Sequence, residues 1–349
     1  MYFLIYFLVS IQCVHGIISC DQLSPEQNHW QIVKSCDGKE TGRPNPEEYR
    51  RMESVLDDLR RRKIVVYPFA GLFGRGSDFP SDPSLQNMYI EYTLARLGAY
   101  WNLIYMVGGP EPLLPKKTYL SEQKIDRIAR KIKDTDIYGH LLSTHNYTGD
   151  DLYKNYPWHD YGILQGPKTT DRKKLSEVIL KNHCMDRPLY LQETLWPGNT
   201  FGHPAYSLED IRKNGIVMLF SGGAINFGDM SGSSSSGFSG KIDFSLKVQE
   251  RHDVIHQVWD YFETLPWHEA TPHQELVNTG YCLARPGSQY LVYLEESDTL
   301  LIDLQQGNFT GQWINARNFQ VESIIEKISS GNSLYPPGRG EWILYLLPE

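Results

Sequence analysis

From residue 45 to residue 264, short β-branched apolar runs alternate with amphipathic stretches of helical period. That alternation limits the chain to a mainly parallel α/β fold, because each strand must return to its sheet through a crossover helix. Asn45 stands as an N-cap before Pro46, and Tyr49, Met52, Leu56 and Leu59 then mark one helical face. The run IVVYPF (64–69) predicts a buried strand, 85–98 a helix and 101–107 a strand. A helix over 121–133 is capped by Ser121 and turns Ile125, Ile128 and Ile132 inward. Short strands are expected at 140–144 and 161–165, a helix at 171–183 and a strand at 188–192. Ser207 and Asp210 have capping-box spacing and open a short helix, followed by a strand at 215–221. A long helix over about 246–264 carries Val254, Ile255, Val258, Trp259 and Phe262 inward.

Short βα units of this kind favour a TIM (β/α)₈-type barrel over a doubly wound sheet. Neither GxGxxG nor a Walker A loop occurs, which argues against a nucleotide site. Six strands are visible, so the barrel is expected to be incomplete at its N-terminus, with residues 12–18 able to supply one more strand. After Pro272 the texture changes to short strands at 279–284, 289–294, 299–304, 309–314 and 341–347, separated by turn residues. The expected organisation is a barrel over 17–270 and a small C-terminal all-β sandwich over 271–349. The Gly/Ser-rich stretch 228–240, with Ser233 to Ser236 at its centre, reads as a flexible loop above the last barrel strand.

Residues 1–16 read either as a secretory signal peptide, which predicts a secreted, extracellular protein, or as a remnant of barrel strand 2. The apolar run 2–14 is short for a membrane span. Cysteines stand at 13, 20, 36, 184 and 282 without a CxxC pair, which excludes zinc-ribbon and thioredoxin readings. Cys20 and Cys36 either close a disulfide loop in an oxidising compartment or remain free thiols with the others. Sequons occur at Asn146 and Asn308. With 34 Lys and Arg against 42 Asp and Glu, the net charge of −8 makes nucleic acid a poor partner. The His268–His273 segment has the wrong spacing for HExxH and no GxSxG is present, so no metal, cofactor or α/β-hydrolase site is expected.

In a barrel, the C-terminal strand ends converge on the active site. Those ends bring forward Phe69, Glu111, His145, Gln165, Glu193, Trp196 and Asn226, with Asp229 beyond. Glu111 and Glu193 form the pair of carboxylates that glycoside hydrolysis requires, one as acid/base and one as nucleophile. Trp158, Trp196 and Phe69 are suited to stacking on sugar faces, and His145, Gln165 and Asn226 to bonding hydroxyls. Each also has a plain structural reading: a solvated loop carboxylate, a hydrogen-bonded half-buried histidine, a core tryptophan, or, for Asp229, a turn cap.

The segments Asn45–Tyr49, Ile64–Pro68 and Tyr92–Tyr105 resemble the helix–strand pattern of the apiosidase-like glycoside hydrolase family. Leu142–His145, Arg187–Glu193 and Leu219–Gly228 are similar to its later strands. Tyr281–Leu294 and the stretch from Pro336 to Leu346 resemble its usual C-terminal partner, a module named for collagen binding in a collagenase. The resemblance spans about residues 43–349. It implies a TIM-barrel glycosidase acting on a plant or microbial glycan, with Glu193 as nucleophile. The acid/base position falls on Gly109-Pro110, and the carboxylate here is one residue later, at Glu111. It implies either a rearranged acid/base loop or a catalytically impaired barrel that binds glycan or matrix. The module's name is a weak guide to collagen as a partner, because function lives in sites rather than folds.

Overall fold

The computed structural model describes residues 30–34, 40–67, 72–74, 79–109, 112, 120–145, 155–183, 186–197, 202–228, 246–305 and 307–349. These divide into two compact units, one running up to Gln165 and the other from Gly166 onward. The division falls between two strands of the α/β region. Residues 1–16, the four cysteines other than Cys282, Asn146 and the 229–240 loop lie outside the described residues. Among those described, no helix is long and apolar enough to cross a membrane.

The first unit opens with an antiparallel hairpin, β1 (Trp30–Lys34) and β2 (Glu40–Pro44). Trp30 is fully buried, edge-on to Tyr89 with ring centroids 5.2 Å apart. Helix α1 (Pro46–Arg61) follows, with Tyr49, Met52 and Leu56 buried as its sequence stripe requires. Its Tyr49 hydroxyl lies 2.6 Å from Thr93 of α2 (Pro83–Leu97), a helix capped by Asp82. Val66 bridges in parallel to Leu103, and β3 (Tyr105–Met106) pairs in parallel with β4 (Leu142–Ser143). Helix α3 (Glu122–Thr135) connects them, capped by Ser121 and burying Ile125, Ile128 and Ile132. Strand β5 (Gly162–Gln165) closes the unit. Phe73, Tyr89, Tyr105 and Leu97 form the centre of one apolar core beneath these elements.

The second unit continues with α4 (Arg172–Asn182), β6 (Leu189–Thr194), α5 (Leu208–Phe220), β7 (Gly223–Phe227) and α6 (Leu246–Glu263). β6 and β7 are parallel. The capping box at Ser207 and Asp210 forms as read, but the helix it opens runs to Phe220, and the strand lies at 223–227 instead of 215–221. Gly215 to Phe220 are all buried. A helix covered on every side loses the polar face that would reveal its period, so a continuous apolar run reads equally well as a strand.

The cause of that burial is the C-terminal sheet. Its strands are β8 (Thr271–Pro272), β9 (Tyr281–Arg285), β10 (Gln289–Leu294), β12 (Phe309–Asn315), β13 (Gln320–Ile328) and β15 (Trp342–Pro348). They are ordered β13-β12-β15-β10-β9-β8 and every pair is antiparallel. One face packs against the helices, with Phe220 of α5 and Tyr293 of β10 at 5.9 Å and Tyr261 of α6 stacked on Phe319 at 4.9 Å. The other face carries Tyr290, Val292, Trp313 and Leu344, covered by a two-stranded ribbon of β11 (Leu300–Leu301) and β14 (Ser333–Leu334). The expected sandwich is thus one six-stranded sheet between helices and a ribbon. β13 was missed because its residues are mostly exposed and its apolar ones, Val321, Ile324, Ile325 and Ile328, do not alternate. Glu322, Glu326 and Lys327 on this edge strand discourage pairing with another chain. Cys282 is buried in the sheet as a free thiol.

Arg212 of α5 joins helix and sheet through a buried ion pair. It meets Glu341 at 2.8 and 3.1 Å and the Ala316 carbonyl at 2.8 Å, while the Tyr293 hydroxyl donates to Glu341 at 3.2 Å. Burial pushes the Glu341 carboxyl up, but Arg212, Lys213 and Arg317 together hold it below the usual carboxylate range. Arg212→Met leaves Glu341 buried without its main partner and should cost about 3–5 kcal/mol in urea unfolding at pH 7. A folded-state pKa below the unfolded one gives stability that is present above the unfolded value and lost as pH falls through the folded one. The variant and the parent should therefore converge in acid. A loss below about 1 kcal/mol at pH 7 would contradict this account.

Candidate functional site

The candidate site is built on the C-terminal end of β6. Alternation sends Leu189 and Leu191 to one face and Tyr190 and Gln192 to the other. Leu191 lies over Gly223, where an added Cβ would come within 2.5 Å of its side chain. Ile225 sits on that same helix-facing side, near Gly215 of α5. Ala224 and Asn226 therefore share the opposite face with Tyr190 and Gln192. Unbroken alternation would turn Glu193 toward the helices, with Leu191.

The strand breaks that rule. Leu191 pairs with Ile225 and Thr194 with Phe227, so three steps along β6 match two along β7. This is a β-bulge, a device that re-aims a side chain. Inside it Glu193 has φ +55°, and two residues on Leu195 has φ +57°. A side chain in this left-handed region costs roughly 1–2 kcal/mol and needs surrounding structure to hold it.

The restraints are specific. The Glu193 amide donates to the Asn226 side-chain oxygen at 3.1 Å, and the Thr194 hydroxyl donates to the Asn226 carbonyl at 2.7 Å. The Gly166 amide donates to the Gln192 carbonyl at 2.7 Å, the Gly228 amide to the Thr194 carbonyl, and Arg251 to the Leu195 carbonyl. Gly166 and Gly228 permit this close approach: a Cβ at Gly166 would lie 2.8 Å from the Glu193 oxygen, and one at Gly228 2.7 Å from that of Thr194. Thr194, Leu195 and Trp196 are buried, and Glu193 is half-buried. Burial raises the Tyr190 phenol far above its ordinary range; the Asn226 side-chain hydrogen bond opposes this and the Glu193 charge adds to it.

The remaining candidates separate. Glu111, Phe69 and Asp229 lie outside the described residues. Trp158, expected to stack on a sugar, is 3% exposed in the core of the first unit, and its indole donates to Asp126 of α3 at 2.8 Å. Trp196 is 2% exposed, its ring pressed against Gly228. Both rings are taken up by packing against neighbouring backbone and helix, which sequence cannot distinguish from display. His145 follows β4 in the first unit and is buried; burial lowers its imidazole to about 3, so it stays neutral at physiological pH. Gln165 ends β5 and is half-buried. Asn226, expected to bind a sugar hydroxyl, commits its side-chain oxygen to the Glu193 backbone. Sequence reasoning missed Tyr190, Thr194 and Arg251; the two glycines flanking the bulge partners were the one available trace.

Glu193→Gly removes the left-handed strain at the cost of added chain entropy, and should raise stability by up to about 1 kcal/mol. Equilibrium unfolding in urea checks this. A loss of more than about 1 kcal/mol would show that residue 193 is not strained in the folded chain.

No family model matches this sequence, and no curated protein matches it. Solved structures do. A glycoside hydrolase aligns with a TM-score of 0.61 and 13% identity over 86% of this chain and 77% of that one. A family 5 glycoside hydrolase from Bacteroides vulgatus ATCC 8482 aligns at 0.62 and 15% identity, over 86% and 74%. A second protein of that strain, described as a glycoside hydrolase, aligns at 0.64 and 16% identity, over 94% and 69%. At such identities the likeness concerns architecture: this chain shares the fold of glycoside hydrolases.

Proposed function

We propose that the protein is a glycosidase that hydrolyses O-glycosyl bonds of a glycan with two carboxylates on a TIM-type barrel. The observation that carries this reading is Glu193: a half-buried carboxylate in a left-handed bulge at a strand's C-terminal end, within a fold shared with glycoside hydrolases. Strain retained at one acidic residue is the signature of a functional position. In this reading Glu193 is the nucleophile, attacking the anomeric carbon. Glu111 is the acid/base, protonating the leaving oxygen and then activating water. A carboxyl separation of about 5–5.5 Å would give retention and one of about 6.5–9.5 Å inversion. The C-terminal sheet acts as a buttress under α5 and α6. The apiosidase-like assignment and secretion belong to the same proposal, supported by the sequence segments named above.

A second reading, a catalytically impaired barrel that binds glycan or matrix, is favoured by the displaced carboxylate at Gly109-Pro110-Glu111. One panel separates the two. Purified protein is tested on aryl glycosides of pentoses and hexoses and on plant and microbial polysaccharides. The glycosidase reading predicts turnover that falls roughly a thousandfold or more in Glu193→Gln, with circular dichroism unchanged. Saturable glycan binding without turnover would establish the second reading, and full activity in Glu193→Gln would overturn the nucleophile assignment.

A further inference from the structure

The glycosidase reading needs the Glu193 carboxylate held at one angle, on a backbone that resists the conformation it adopts. Two features of Asn226 bear on this. Its side-chain oxygen accepts the Glu193 amide at 3.1 Å, and its main-chain carbonyl accepts the Thr194 hydroxyl at 2.7 Å. One residue of β7 therefore grips both sides of the bulged peptide of β6. Because the amide oxygen is committed to Glu193, the amide nitrogen faces away from that bond, and the Asn226 side chain also bonds Tyr190.

We infer that Asn226 is a positioning residue for Glu193, clamping the bulged segment that carries it. This rests on the glycosidase reading only for its catalytic consequence; the clamp itself is a property of the folded chain. Ala or Leu at 226 would leave the Glu193 amide without this acceptor, and Asp would keep it.

The test combines hydrogen exchange followed by mass spectrometry with steady-state kinetics on the full chain. In Asn226→Ala, amide exchange across 190–196 should quicken roughly tenfold or more relative to the parent, and Asn226→Asp should restore slow exchange. Asn226→Ala should also lose roughly tenfold in kcat at nearly constant KM, and Asn226→Asp should recover most of it. Unchanged exchange in Asn226→Ala would overturn the clamp whatever the activity. Quickened exchange with parental kcat in Asn226→Ala would overturn the positioning role. If exchange responds as stated but the parent turns over no glycoside, the clamp stands and the glycosidase reading falls.

Discussion

One extra residue in β6 decides what the end of that strand can present. Without the bulge between Leu191 and Thr194, the strict period of a strand would bury the Glu193 side chain against helices, beside Leu191 and Ile225. With it, the alternation is broken at Glu193, whose backbone turns left-handed. The distortion is local but its supports are not. They come from Asn226 and Gly228 at the end of β7, from Gly166 after β5, and from Arg251 on α6, whose guanidinium also lies 5.2 Å from the Phe227 ring. A left-handed glutamate persists because these contacts leave its backbone no other arrangement.

The supports in turn depend on how α5 is seated. Only Ser221 and Gly222 separate α5 from β7, so the position of Asn226 follows from that of the helix. α5 is gripped on three sides. Ser221 at its C-cap bonds Ser176 of α4 at 2.7 Å, Gly215 lies against Ile255 of α6, and Arg212 reaches the C-terminal sheet to meet Glu341. Arg172 adds a second link, pairing with Glu295 and, at 3.5 Å, with Asp210 in the first turn of α5. A buried ion pair is weak evidence for stability by itself, since desolvation opposes it. Its geometric content is firmer: the Arg212 fork fits one arrangement of helix and sheet. The C-terminal sheet thus acts on the candidate site through α5, without contributing a residue to it.

Much of the fold was legible because local chemistry and global arrangement agree. Ser121, Ser207 and Pro46 mark helix starts that the structure keeps, and the isoleucines of α3 lie inward as their spacing requires. Legibility failed where burial removed contrast. α5 lost its period because its last two turns are buried on every side, and β13 went unseen because the apolar residues of this exposed edge strand do not alternate. The site shows the same division. Glu193 stands out in the sequence by its expected place at a strand end, and it does lie near the end of β6. The bulge that carries it does not stand out, since a register shift is a relation between two strands and neither sequence alone contains it. Trp158 and Trp196 misled for the converse reason: their indoles look like binding surfaces until Asp126 and Gly228 are seen to occupy them.

In the proposed reading Glu193 is the group that attacks the sugar. Incubation with a panel of 2-deoxy-2-fluoro glycosides bearing good leaving groups, followed by peptide mapping, tests it directly, because such sugars form the glycosyl-enzyme and release it slowly. The account predicts one added glycosyl unit on the peptide that contains Glu193, with fragmentation placing it on that carboxylate. Labelling of any other carboxylate, or an unlabelled Glu193 in protein that hydrolyses the parent glycoside with retention, would contradict it.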